Sequence, residues 1–138
     1  MRLAADANVL LSAVMGGRAR LILLSPQIDE IFTVETVMAE VEEYAGLLAR
    51  KKRLAVDLVL LAVSALPVTI VGRADYAPTI PEATKRIAQR DPDDAELLAL
   101  ALTLNVPVWS NDKDFEGTGV VWLTTEALIR QFGLNDAL

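Results

Sequence analysis

Short apolar and β-branched runs alternate along this chain with longer amphipathic stretches, and that alternation restricts its fold more than any other feature. Leu3–Asp6, Ile28–Val34, Val68–Val71, Val106–Ser110 and Val120–Leu123 read as strands. Ala19–Leu24, Val37–Leu48, Leu54–Leu66, Ala83–Gln89, Ala95–Leu104 and Thr124–Phe132 read as helices. A Gly16-Gly17 break precedes the first helix, Pro67 stops the third and Gly133 the last. Gly72 to Pro81, with a glycine and two prolines, reads as a loop. Strands alternating with helices predict an α/β fold, a parallel sheet with helices on both faces, in a single domain over residues 1–138. Ligands of such sheets bind beyond the carboxyl ends of the strands, so the residues just after each strand are where chemistry is expected.

Those positions are acidic. Asp6 closes the first strand in LAADANVLLSA, and Asp112 follows the fourth in VWSNDKDF, with Asp114 two residues on. Asp91, Asp93 and Asp94 crowd the start of a helix in RDPDDAELLALAL. A helix start welcomes negative charge and one Asp as a cap, but one cap does not require three acids. Glu40, in VMAEVEEY, sits roughly 60° round its helix from Val37, on the flank of an apolar face formed by Val37, Val41, Tyr44 and Leu48. A carboxylate at the margin of a core needs a partner or a metal. Taken singly, Asp6 and Asp112 also suit a cap or a turn, and Glu40 suits an ordinary boundary salt bridge. Taken together, they gather carboxylates at one edge of the sheet.

Composition narrows the chemistry. There is no histidine and no cysteine, so a His general base, a Ser-His-Asp triad and disulfides are excluded. Hard oxygen ligands alone favour Mg²⁺ or Mn²⁺ over zinc. Clustered carboxylates repel one another unless cations neutralise them, and such ions would polarise a scissile phosphate and acidify the attacking water. No G-x-G-x-x-G or Walker A loop points to a nucleotide cofactor. The net charge of −6 argues against a broad surface coating nucleic acid, yet suits an acidic site that holds cations. Arg18 and Arg20 follow the first strand closely enough to approach a substrate phosphate, with solvated helix charges as the bland alternative. Trp109 and Trp122 fall in strand runs and read as core.

With 53% hydrophobic residues the chain carries more apolar surface than its length needs, which predicts a partner and an oligomer. The longest apolar stretch, Leu54 to Val71, is broken by Asp57 and Pro67, so no membrane span is expected. A strand-like run directly after Arg2, without a signal-peptide plan, and the absence of cysteine fit the cytoplasm.

Over nearly its whole length the chain resembles the PIN domain family, metal-dependent nucleases that include the VapC-type toxins of toxin–antitoxin pairs. The resemblance rests on Asp6 in DANVLLSA, Glu40 in VMAEVEEY, Asp94 in DDAELLALAL and Asp112 in SNDKDF. The last two motifs are specific as a pair, because the helix and strand between them have the family's length, and DPDDAELLALAL…VPVWSNDKDF is similar to a bacterial PIN subgroup. The resemblance implies a three-layer sandwich around a parallel sheet of about five strands in the order 3-2-1-4-5. It implies that Asp6, Glu40, Asp94 and Asp112 ligate Mg²⁺ or Mn²⁺, with Asp114 adding a further contact. Asn8 and Ser110 would orient ligands or waters, and Asp91 would be accessory. The choice of Asp94 over Asp93 rests on family spacing. The implied activity is endonucleolytic hydrolysis of RNA by the toxin half of a pair, with a small antitoxin and a homodimer as partners. The alternative is a catalytically inactive PIN-like module that binds RNA or protein. A dehalogenase-like phosphatase would want a second acid after Asp6-Ala7, where Asn8 stands, and a flap nuclease would need more helices than this length allows.

Overall fold

In a computed structural model, which describes residues 1–87 and 90–134, the architecture is built outward from β1 (Arg2–Ala5). Leu3, Ala4 and Ala5 are fully buried, as expected of a strand paired on both edges and covered on both faces. β1 pairs in parallel with β2 (Glu30–Val34) and with β4 (Val108–Trp109). β3 (Thr69–Val71) and β5 (Trp122–Leu123) close the edges, giving the order β3-β2-β1-β4-β5. That is the parallel order the resemblance implied. Every crossover therefore returns to the same end, and all five carboxyl ends face one rim.

The connections differ from the sequence reading in instructive places. The run after Asp6, to which the sequence reading assigned no element, is a helix, α1 (Ala7–Val14). Eight residues with two valines look equally like a strand by pattern; the cap at Asp6 decides the matter. Gly16, at φ +85°, makes the turn into α2 (Ala19–Leu23). α3 (Glu35–Lys51) buries Val37, Met38, Val41, Ala45, Gly46 and Ala49. Its inward stripe thus runs through small residues that admit α1 and α4 closely, and Tyr44, expected inside, is left 47% exposed. In α4 (Val56–Ser64) only Val63 is buried, whereas Leu58 and Leu61 are exposed. Much of the apolar excess is therefore on the outside of this helix.

The segment read as a loop before Pro81 is partly ordered. Two short 3₁₀ turns, Arg73–Asp75 and Ala77–Thr79, precede α5 (Ile80–Ile87), in which Pro81 sits in the first turn where no N–H is needed. Tyr76 is buried there and donates its hydroxyl to Glu96 Oε1 at 3.1 Å. The last residues of the expected Ala83–Gln89 helix lie outside the described ones. A 3₁₀ turn, Pro92–Asp94, runs into α6 (Ala95–Leu104), whose Ala95 and Leu97 to Ala101 are buried. A helix apolar nearly all round belongs inside, and α6 packs against β1, β2 and α5. Trp109 is fully buried as expected, while Trp122 is half-buried and donates to the Ser110 carbonyl at 2.8 Å. Thr124 caps α7 (Thr125–Phe132) by accepting from the Ala127 N–H at 3.1 Å. No helix among the described residues is long and apolar enough to cross a membrane.

The burial contrast between α6 and α4 sets a stability test. Leu98→Ala, at a fully buried position, is expected to cost about 2–5 kcal/mol in urea unfolding. Leu58→Ala, at a position 67% exposed, is expected to stay within about 0.5 kcal/mol of the parent. Equal losses would contradict the placement of the core.

Candidate metal centre

The site begins with the ladder between β1 and β4. Ala5 lies opposite Trp109, so Asp6 and Ser110 leave the sheet as neighbours although 104 residues separate them. Both backbones stay tied in: Asp6 N donates to Trp109 O at 3.0 Å and Ser110 N to Leu123 O at 3.1 Å. The Asp6 carboxylate, 5% exposed, accepts from Ala7 N at 2.8 Å through Oδ1. Its Oδ2 accepts from Ser110 Oγ at 2.8 Å and Asn8 Nδ2 at 3.1 Å. Of about four lone-pair positions on a carboxylate, three are engaged, which leaves one for a ligand.

Ser110 Oγ is the hub. Its single proton goes to Asp6, and it accepts from Asn8 Nδ2 at 3.1 Å and Asp112 N at 3.0 Å. Asn8 Oδ1 accepts from Asn111 N at 3.0 Å, and Asn111 Oδ1 from Thr125 N at 2.8 Å, so the network reaches the start of α7. Asp112 in turn accepts from Asp114 N at 3.1 Å, fixing the 3₁₀ turn Lys113–Phe115.

Across from Asp6, Asp91 accepts from Asp93 N at 3.0 Å and starts the turn that leads into α6. That turn leaves Asp93 exposed and brings Asp94 inward. Asp94 Oδ2 is fully buried and has no hydrogen-bond partner. Carboxylate oxygens of Asp91, Asp94 and Asp114 all lie within 4.8 Å of one another. Around Mg²⁺, with bonds of about 2.1 Å, ligand oxygens stand about 3 to 4 Å apart. Three hard oxygens this near one another, on a set of residues that includes the buried and unsatisfied Asp94 Oδ2, fit a divalent cation.

The sequence-read residues are thus distributed as follows. Asp6, Glu40, Asp91, Asp94 and Asp112 line one depression, and Asp93 and Glu43 line an adjoining one that shares Asp6, Glu40, Asp91 and Asp94. Asp91, expected to be accessory, belongs to the closest trio with Asp94 and Asp114; Asp6, Glu40 and Asp112 stand outside it. Arg18 lines a separate depression with Ser12, Asn111 and Thr124. Arg20 donates to the Ala13 carbonyl at 3.3 Å, holding the end of α1, and is not brought to the carboxylates. Tyr44, which the sequence reading placed inside, lines both depressions. Its signal was its spacing, one helical turn from Glu40 on the same face.

Gathering these acids has an electrostatic cost. Burial, then the charges of Asp6, Asp91, Asp114 and Asp112, push the Asp94 carboxyl from an ordinary 3.8 to about 8. Burial also raises Asp6 against the lowering effect of its bonds to Ser110 and Ala7. Burial and the neighbouring acids raise Glu40 and Asp114. Between the unfolded value of 3.8 and about 8 the folded chain keeps a proton on Asp94 that the unfolded chain has lost. Stability from this group is therefore lost as pH rises through that window. Without metal, the melting temperature of Asp94→Asn relative to the parent should climb between about pH 4 and 8 and then level off. A pH-independent difference would contradict the burial of this carboxyl.

A PIN domain family model matches residues 5–132. No curated protein matches the sequence. Among solved structures, the chain is similar to VapBC2 from Rickettsia felis bound to a DNA fragment from its promoter, with TM-score 0.67 and 16% identity over 90% of this chain and 98% of that one. VapBC-1 from nontypeable Haemophilus influenzae gives TM-score 0.62 and 15% identity over 91% and 99%. VapC20 from Mycobacterium tuberculosis, a sarcin–ricin loop cleaving toxin, gives TM-score 0.61 and 18% identity over 86% and 96%. At such identities these likenesses speak for the fold, and the family model speaks for the sequence: the chain belongs to the PIN domain family, a family of nucleases.

Proposed function

We propose that this protein is an Mg²⁺- or Mn²⁺-dependent endoribonuclease, the toxin half of a toxin–antitoxin pair acting in the cytoplasm. Two observations carry the reading: carboxylate oxygens of Asp91, Asp94 and Asp114 lie within 4.8 Å of one another, and Asp94 Oδ2 is buried without a hydrogen-bond partner. A lone buried carboxylate oxygen is costly unless something positive meets it. Asp94, Asp91 and Asp114 are assigned to hold the ion. Asp6, Glu40 and Asp112 complete the acidic surround. When bound, a divalent cation supplies charge to the scissile phosphate and acidifies water at neutral pH.

The chain's own residues do the rest. Ser110 and Asn8 fix the orientation of Asp6, leaving its remaining lone pair to the depression. With no histidine in the chain, carboxylates are the side chains at this site suited to take a proton from water near neutral pH. RNA as substrate is supported by the likeness to VapC20, the sarcin–ricin loop cleaving toxin, and an antitoxin by the likeness to the VapBC structures. The exposed apolar residues of α4, Leu58 and Leu61, are where a partner, an antitoxin or a second copy, would bury surface.

The test is cleavage of single-stranded and hairpin RNAs with Mn²⁺ and with EDTA. Asp94→Asn is expected to lower the rate by about 100-fold or more while its metal-free fold is no less stable at pH 8. Full activity in EDTA, or in Asp94→Asn, would overturn the assignment.

A further inference from the structure

Like charges do not assemble unaided, and something must hold the Asp114 turn against Asp91 before any cation arrives. Arg90 makes such a link through its side chain. Its Nη1 donates to the carbonyls of Asp114, at 2.8 Å, Lys113, at 3.2 Å, and Glu116. Arg90 is also the residue bonded directly to Asp91. A single guanidinium thus joins the chain that carries Asp91 and Asp94 to the turn that carries Asp114. Its own backbone is anchored by Arg90 N donating to Ile87 O, at the end of α5, at 2.9 Å.

The loop is shaped to receive it. Gly117 and Gly119 adopt φ +74° and +93°, conformations that L side chains rarely adopt. Arg86, from α5, continues the grip by donating to Thr118 O at 3.0 Å, and a Cβ at Gly119 would collide with its Nη1. Two arginines from one side therefore hold four carbonyls of the segment that follows Asp112. All three Arg90 bonds come from Nη1, at the far tip of the guanidinium, so the length of the side chain is what brings a donor to these carbonyls.

We propose that Arg90 is a positioning residue, which holds the Asp114 turn against Asp91 and Asp94 and so preorganises the trio for a divalent cation. Arg90 acts on backbone carbonyls of the turn. The consequence for metal affinity rests on the metal reading above; the positioning itself does not.

The experiment titrates Mn²⁺ into the full chain by calorimetry and follows amide hydrogen exchange of residues 112–119 without metal. Arg90→Gln is expected to weaken Mn²⁺ binding by about 10- to 100-fold, the usual effect of removing a group that orients ligands. Exchange across 112–119 should quicken while α6 amides keep their protection. Unchanged affinity in a folded Arg90→Gln protein overturns the proposal. If Arg90→Gln does not fold, Arg90→Lys carries the test: it keeps the charge but ends one atom short of the position of Nη1, and affinity equal to the parent overturns the proposal. If the parent itself binds no Mn²⁺, the metal reading fails. Exchange then decides the positioning claim: faster exchange of 112–119 in the variant supports it, and unchanged exchange overturns it.

Discussion

Ala5 faces Trp109 in the parallel ladder between β1 and β4, and the residues that follow each, Asp6 and Ser110, emerge side by side at the rim. Two segments from opposite ends of the chain share one hydroxyl proton there, from Ser110 Oγ to Asp6 Oδ2. That same hydroxyl accepts the Asp112 amide, Asp112 accepts the Asp114 amide, and Asn8 extends the chain of bonds to Asn111 and α7. If this ladder slipped by one residue, Asp6 would lose Ser110 and the network with it.

On this scaffold the chain places charges that oppose folding. Asp94 is carried inward by the 3₁₀ turn that leads into α6, a helix held in the core by Ala95 and Leu97 to Ala101. Its carboxyl is raised to about 8 because burial and four neighbouring acids disfavour its charge. Such a group is unfavourable for a bare protein near neutral pH and favourable for one that meets a cation. A site that costs stability in order to act is the usual sign of function in a fold otherwise consistent at every level.

The sheet was legible in the sequence because central parallel strands are short apolar runs, and the order followed from the family resemblance. That Asp6, Asp94 and Asp112 meet in one depression was legible because strand ends and helix starts share the rim of a parallel sheet, and Glu40 joins them from the flank of the apolar face of α3. Three things were not. α1 was hidden because an eight-residue apolar run has no period long enough to separate helix from strand. Tyr44 was misplaced because the inward stripe of α3 is set by the small residues Ala45, Gly46 and Ala49, a packing choice that a hydrophobicity pattern does not weigh. The trio of Asp91, Asp94 and Asp114 depends on how a 3₁₀ turn and a distant loop meet in space, which no linear spacing encodes.

Calorimetric titration of Mn²⁺ at pH 7, repeated in buffers of different ionisation enthalpy, tests the central claim most directly. If the buried Asp94 carboxyl waits for a cation, binding should expel about one proton at this pH, and Asp94→Asn should bind more weakly with no proton released. Binding without proton release, or equal binding by Asp94→Asn, would contradict the account.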